Sequence, residues 1–398
     1  MVHQGSGPPA PTATAILIVG GSGRSLAESA AAAGWAVYAA DLFNDSDLQA
    51  VASESVAVDP RTYPQALITA ADGFPAAPWC YTGAVENHPA VIDAIASRRP
   101  LAGNPGTAVR AVRDPSRLGA KARAAGLSFP ETRLSPTGLP LDGTWLIKPL
   151  ASGSGRAIYP WTAATLPLRE EGMLWQERVA GIPYAASFII APHDVRLLGL
   201  SRQLIGQPWS HGGPFAYGGS VTLSPAEAPP QLAAAAAAIG RMLAEQFHLV
   251  GAVGVDLVVD ADGRPWIIEV NPRVTASMEL HERSTGISIA ATHLEACGLP
   301  RHEAIRLPAC GDGRIWAKAV LHTPDSLPIT IERVADWHAT ALAWTEADGG
   351  RSAIADIPNP GQTLAPRAPV LTVFASGASA DTAVAALRVR ASALAASW

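Results

Sequence analysis

Asp256 and the run Glu269-Val270-Asn271-Pro272-Arg273 hold the densest chemistry in this 398-residue chain. Residues 265–270 read as a strand, and residues 252–259, joined to it by the turn 260–263, as its hairpin partner. Side chains alternate across a strand, so Glu269 and Asn271 project to one face, and Asp256 comes alongside from the partner strand. Two carboxylates and one amide oxygen form a hard oxygen site suited to Mg2+ bridging nucleotide phosphates, with Mn2+ as the other metal of similar taste. Arg273, in phase where the extended backbone continues, adds a planar fork for a phosphate or carboxylate.

Lys148 ends a strand over 144–148 and leads into Pro149-Leu150-Ala151-Ser152-Gly153-Ser154-Gly155-Arg156. A lysine so placed sets its ammonium on phosphates while the N–H groups of a small-residue loop cradle them. Lysine is scarce: only Lys121, Lys148 and Lys318 stand among 29 basic residues, so a retained lysine points to a chemical need. A third stretch, Leu174-Trp175-Gln176-Glu177-Arg178-Val179, leaves a strand over 173–179 and offers main-chain groups to an adenine edge.

The elements that must position these groups follow from periodicity and punctuation. An apolar run over 15–19, the turn Gly20-Gly21-Ser22-Gly23, an alanine-rich helix over 26–33 and a strand over 35–40 ending at Asp41 predict a parallel β-α-β start. A strand end falls at 78–83 and a helix over 89–97. Asp114 as N-cap and Pro115 at the first helical position open a helix running to Gly126. Strands over 144–148, 173–179 and 185–190 follow, then an alanine-rich helix over 229–248 and the acidic hairpin. Short β runs over 353–360 and 370–374 close the chain. The expected organisation is α/β: a disordered N-terminus at 1–14, a first domain at 15–113, a second at 114–300, and a small β-rich domain at 301–398.

Composition narrows the function. A 48% hydrophobic, 16% charged chain of this length builds real cores. A net charge of −5 without long runs leaves no basic footprint for nucleic acid. The apolar run over 15–19 is too short for a signal core or a membrane span. Cys80, Cys297 and Cys310 are scattered and unpaired in spacing, as for buried thiols of a reducing cytoplasm. The expected partners are small molecules, with no nucleic acid and no membrane; homodimerisation stays open.

Taken in chain order, the three constellations resemble the ATP-grasp superfamily, whose pattern is lysine plus glycine loop, adenine hinge, then D…E-x-N-x-R. The resemblance covers roughly residues 114–279, and the first domain is similar to the Rossmann-like segment that precedes ATP-grasp domains. It implies a two-lobed α+β ATP-grasp domain binding ATP and magnesium. Lys148 would hold the α/β-phosphates, the loop Ser152, Gly153, Ser154 and Gly155 would close over them, and Glu177 and Val179 would hold adenine. Asp256, Glu269 and Asn271 would coordinate the metal. Arg273 would stabilise the transferring phosphoryl group or an acyl phosphate. Within the superfamily, residues 269–277 look most like the branch containing tyramine–glutamate ligase.

Two positions depart from the family pattern. The first lysine aligns with Pro115, leaving Arg113, Arg117 or Lys121 as replacements, and the ribose-binding acid falls near Pro183. The implied activity is an ADP-forming carboxylate–amine ligase acting on a small metabolite or amino acid. The rivals are a bicarbonate-activating carboxylase and a catalytically weak nucleotide-binding protein. The turn at 20–23, with Asp41 on a ribose, is only a partial dinucleotide fingerprint. His281-Glu282-Arg283 reads as a solvated helix start, with a substrate-pocket rim as the alternative, and Trp161, Trp175 and Trp209 as a packing cluster in preference to a binding platform.

Overall fold

A computed structural model of the chain describes residues 14–165, 171–300, 313–347, 350–396 and 398. The expected disordered N-terminus lies outside the described residues but for Thr14, and so do Cys310 and the start of the C-terminal region. Strands β1 (Ala15–Val19), β2 (Ala36–Asp41), β3 (Glu54–Ala57) and β4 (Trp79–Tyr81) form a parallel sheet in the order β3-β2-β1-β4. Ile16 and Ile18 point into one core and Leu17 and Val19 into another, which is why β1 reads as an unbroken apolar run. Gly20 sits where a Cβ would come within 1.8 Å of the Thr82 hydroxyl, so only glycine lets β1 leave the sheet beside β4.

The second sheet is antiparallel, in the order β5-β8-β6-β7, from β5 (Thr132–Arg133), β6 (Asp142–Pro149), β7 (Tyr159–Thr162) and β8 (Met173–Glu177). Its small core is Trp145, Ile147, Trp161 and Trp175. Trp161 and Trp175 meet edge to face at 5.7 Å. Trp209 does not join them; it packs against the C-terminal core with Arg388 over its ring.

The third sheet carries β9 (Ile182–Ala191), β10 (Asp194–Ile205), β11 (Tyr217–Thr222), β12 (Gly251–Val259), β13 (Pro265–Asn271) and β14 (Ile315–His322). After the short strand β15 (Leu327–Pro328) come β16 (Ile354–Ala355), β17 (Thr363–Leu364) and β18 (Pro369–Gly377). The sheet has eight strands in the order β13-β12-β9-β10-β11-β14-β18-β16. The C-terminal strands therefore extend this sheet, while β15 and β17 pair separately. Helix Pro230–Phe247 buries Leu232, Ala236, Ile239, Leu243 and Phe247, a helical stripe, against Phe188 and Val253 on one face. Asp114 caps helix Pro115–Ala124 by accepting from the N–H groups of Ser116 and Arg117.

Two helices of the C-terminal region, Ile331–Ala347 and Ala380–Ala395, are additions to the β runs read from sequence. The second starts at a reciprocal cap between Ser379 and Thr382 and covers β18 and β14 with Ala383, Leu387 and Leu394.

Candidate active site

The acidic hairpin forms, but with one residue, Ile268, inserted into the ladder between Ile267 and Glu269. Asp256 on β12 is the register partner of Glu269 on β13, and a bulge follows directly after Asp256. Gln203 Nε2 donates to Asp256 Oδ1 at 2.8 Å, and Asn271 Nδ2 donates to Asp256 Oδ2 at 3.1 Å. Burial and the neighbouring Glu269 charge push the Asp256 carboxyl up to about 6, against the pull of Arg273. A cation held between two such carboxylates relieves both penalties, so the residues fit magnesium. The Asn271 amide is turned otherwise, its Oδ1 accepting from Arg273 Nη2 at 3.2 Å. It offers its oxygen to a metal shared with Asp256 only after the amide reorients.

Lys148 comes from the other sheet, where β6 pairs with β8. Its Nζ donates to Gln176 Oε1 at 2.9 Å. Burial lowers its pKa, while the charges of Glu269 and Asp256 oppose that shift. A lysine from one sheet thus shares an electrostatic environment with a carboxylate pair from the other. The loop after Lys148 turns back through Ser154 (φ 58°) and Gly155 (φ 74°). Tyr217 N donates to Ser154 O at 3.2 Å, and a Cβ on Gly155 would fall 1.7 Å from Phe215 O. The phosphate-loop candidate and the glycine-rich stretch before β11 therefore touch.

At the hinge, Glu177 N–H donates to Glu131 O and Arg178 N–H to Thr144 O, both at 2.8 Å. Glu177 thus has no N–H to give an adenine. Val179, just past β8, keeps its main-chain groups outside the sheet ladder.

Arg273 reaches across to the first sheet. Its Nη2 donates to Glu86 Oε1 at 2.6 Å and its Nε to the same oxygen at 2.9 Å. Burial raises Glu86, but Arg273 outweighs it and holds the carboxyl below its usual range. The guanidinium also lies 3.5 Å from where Gly83 would carry a Cβ. Sequence reasoning missed Glu86, whose signal was a lone acid just after the β4 strand end. It missed Gln203 too, which carries no motif of its own.

Of the three candidates for the missing lysine, Arg113 is the one at the site: its Nη1 donates to Glu269 Oε1 at 2.8 Å. Arg117 is exposed, and Lys121 bonds Gln246 on the surface. Asp41 is fully buried and accepts from the N–H groups of Gly23, Phe43 and Asn44, so it closes its own loop and cannot reach a ribose. His281-Glu282-Arg283 is not solvated. His281 and Arg283 are buried, and Arg283 stacks on Phe374 at 3.6 Å.

Residues 117–277 match the family model described as ATP-grasp domain. Those residues form an ATP-grasp domain. Solved structures share the fold over nearly its whole length. Carboxyaminoimidazole ribonucleotide synthase from Aspergillus clavatus aligns with a TM-score of 0.70 at 15% identity, covering 97% of this chain and 99% of that one. An L-amino acid ligase from Bacillus licheniformis aligns with a TM-score of 0.67 at 15% identity, covering 94% and 96%. Biotin carboxylase from Campylobacter jejuni aligns with a TM-score of 0.64 at 14% identity, covering 94% and 89%. No curated protein matches the sequence. Among the described residues, no helix is long and apolar enough to cross a membrane.

Proposed function

We propose that this chain is an ATP- and magnesium-dependent, ADP-forming ligase that activates a small-molecule carboxylate as an acyl phosphate and passes the acyl group to an amine. The observation that carries the reading is the pairing of Asp256 with Glu269, within the electrostatic reach of Lys148 and bonded by Arg113 and, through Asn271, by Arg273. Few surfaces other than a polyphosphate site need that many opposed charges in one place.

Lys148 and Arg113 neutralise the phosphate chain, and the loop 152–155 closes against the stretch before β11 to exclude water. Val179, with the carbonyl of Glu177, sets the adenine. Magnesium, held by Asp256, Glu269 and Asn271, supplies charge neutralisation on the phosphate oxygens. The substrate carboxylate attacks the γ-phosphorus and the bond to the β-phosphate oxygen breaks, releasing ADP. Arg273 steadies the anionic acyl phosphate. The amine then attacks the acyl carbon, the C–O bond to phosphate breaks, and inorganic phosphate leaves while the nitrogen loses its proton.

The test is ADP release screened over amino acids, other carboxylates and amines, with bicarbonate as a separate arm. Release that needs a carboxylate and an amine together supports the ligase. Release that needs bicarbonate and no other carboxylate makes the enzyme a carboxylase instead.

A further inference from the structure

Glu86 has one paired oxygen and one unpaired. Arg273 sends both Nε and Nη2 to Oε1, at 2.9 and 2.6 Å. A guanidinium fork frequently spreads over both oxygens of a carboxylate. Here Oε2 is left over. It is buried, on a residue only 2% exposed, and among the described residues it has no hydrogen-bond partner. Two hydroxyls of the region do not serve it. Thr82 Oγ1 lies against Gly20, Tyr63 packs edge-on to His88, and both hydroxyls are buried and partnerless themselves. Burial alone would raise the Glu86 pKa, but Arg273 and Arg113 keep the carboxyl ionised. Its own main-chain N–H also favours the ion and makes no hydrogen bond with Oε2.

An ionised oxygen shut off from water and from every donor is costly unless a ligand brings an N–H or O–H to it. Its surroundings favour a substrate. Glu86 stands on the short helical turn Val85–Asn87, which leaves the end of β4 through Ala84 in a left-handed backbone (φ 79°). Ligands of parallel sheets bind beyond the carboxyl ends of the strands. Gly83, partly exposed in the same turn, has no side chain to cover the guanidinium, and a Cβ there would lie 3.5 Å from it. From Glu86 hydrogen bonds run through Arg273 to Asn271 Oδ1, and from Asn271 Nδ2 to Asp256 Oδ2. The unpaired oxygen is therefore one guanidinium away from the proposed metal residues. The two oxygens of a carboxylate are immediate neighbours, so a group bound at Oε2 lies beside whatever anion Arg273 holds. An anionic reactant is repelled there, whereas an amine supplies the N–H that an ionised acid accepts.

We propose that Glu86 orients the acceptor: its Oε2 accepts a hydrogen bond from the nitrogen of the incoming amine and aims that nitrogen at the acyl phosphate beside Arg273. The inference rests on the ligase reading and gives one oxygen of this chain to the nucleophile. The nitrogen keeps its lone pair for the acyl carbon. The C–O bond to phosphate breaks with its electrons on the phosphate, and the proton of the nitrogen leaves with that phosphate. Glu86 does not take the proton, because Arg273 holds its carboxyl below the usual range and makes it a weak base.

The experiment is steady-state kinetics on the full chain with the carboxylate and amine that support ADP release. Glu86→Gln keeps an oxygen for the two donors of Arg273 and sets an NH2 group where Oε2 stood. It raises the KM for the amine by about tenfold or more, the scale of a lost charge-assisted hydrogen bond. The KM for the carboxylate and the Kd for ATP stay within a factor of about two, a split that a merely structural loss does not produce. Glu86→Asp draws the free oxygen back by one methylene and shows the same split, and it serves should the first variant fold poorly. An amine KM unchanged in both variants, or all three constants moved alike, overturns the proposal, leaves Oε2 to an ordered water and lets the ligase reading stand. A parent that releases no ADP in response to a carboxylate and an amine together removes the ligase reading, and this task for Glu86 with it.

Discussion

Arg113 Nη1 lies 2.8 Å from Glu269 Oε1, which ties the end of helix Gly106–Arg113 to the acidic strand β13. Arg113 Nη2 also donates to Asn87 Oδ1 at 2.9 Å, so the guanidinium is held on two sides. The family places its first phosphate-binding cation on the helix that begins two residues later, at Pro115. Here a cation from the preceding helix reaches the carboxylate proposed for the metal, and under the proposed function an incoming phosphate would give it a second anion to share.

Arg113→Ala should therefore raise the Kd for ATP by about tenfold, the scale of a charge-assisted hydrogen bond. Arg117→Ala and Lys121→Ala should leave it within a factor of about two, because surface charges that far from the acids contribute little. Calorimetry on the three variants decides; a larger loss from Arg117 or Lys121 would reassign the cation.

Glu269→Gln should lower turnover by at least ~100-fold while the protein stays folded, as for loss of one central electrostatic group. Lys148→Ala should weaken ATP by about tenfold, and GTP should bind far more weakly than ATP, since main-chain hinge groups matched to adenine mismatch guanine. Near-parent ADP release from the Glu269 variant removes the magnesium assignment.

The two glycines of the phosphate loop should behave differently. A Cβ on Gly155 would lie 1.7 Å from Phe215 O on a left-handed backbone, whereas a Cβ on Gly153 would meet nothing within 4 Å. Gly155→Ala should open the contact with the β11 stretch, raise the KM for ATP several-fold and let water compete, so that ADP release exceeds product. Gly153→Ala should keep the parent's ratio of ADP to product. Equal behaviour of the two variants would separate loop closure from coupling.

The pH dependence of stability should report two buried histidines. His281 and His293 are buried, and burial pulls both pKa values down to about 4. His293 Nδ1 accepts from Ala252 N at 2.9 Å, which requires the neutral ring. In the unfolded chain both bind a proton below about 6.5. The unfolded state then holds more protons than the folded one between about 6.5 and 4, so stability falls as the pH drops through that window. His281→Gln should remove roughly 1–3 kcal/mol of that slope. A Tm that falls with pH equally in parent and variant would mean that His281 titrates in the folded state.

Much of this site was legible because period two is rigid. Glu269 and Asn271 could be put on one face without knowing the fold, but Asp256 joins them only because a bulge skips Ile268; a regular hairpin would have turned it to the other face. The glycine loop and its lysine were legible for a related reason: few other tasks need a lysine at a strand end before small residues. What stayed hidden depends on contacts between distant segments. Glu86 meets Arg273 across 187 residues, and Arg24 meets Asp356 across 332. The His281 segment looks solvated by composition and becomes buried only because β14 and β18 extend the large sheet beneath it. The C-terminal helices were missed because their alanine-rich faces give little contrast between buried and exposed sides.

The most direct measurement follows the carboxylate oxygen. With ATP, the amine and a carboxylate substrate labelled with oxygen-18, an acyl-phosphate mechanism predicts one labelled oxygen in the inorganic phosphate for each product formed, with ADP as the nucleotide product. Phosphate free of label while product still accumulates, or release of AMP in place of ADP, would contradict it and leave Arg273 without the intermediate it is proposed to hold.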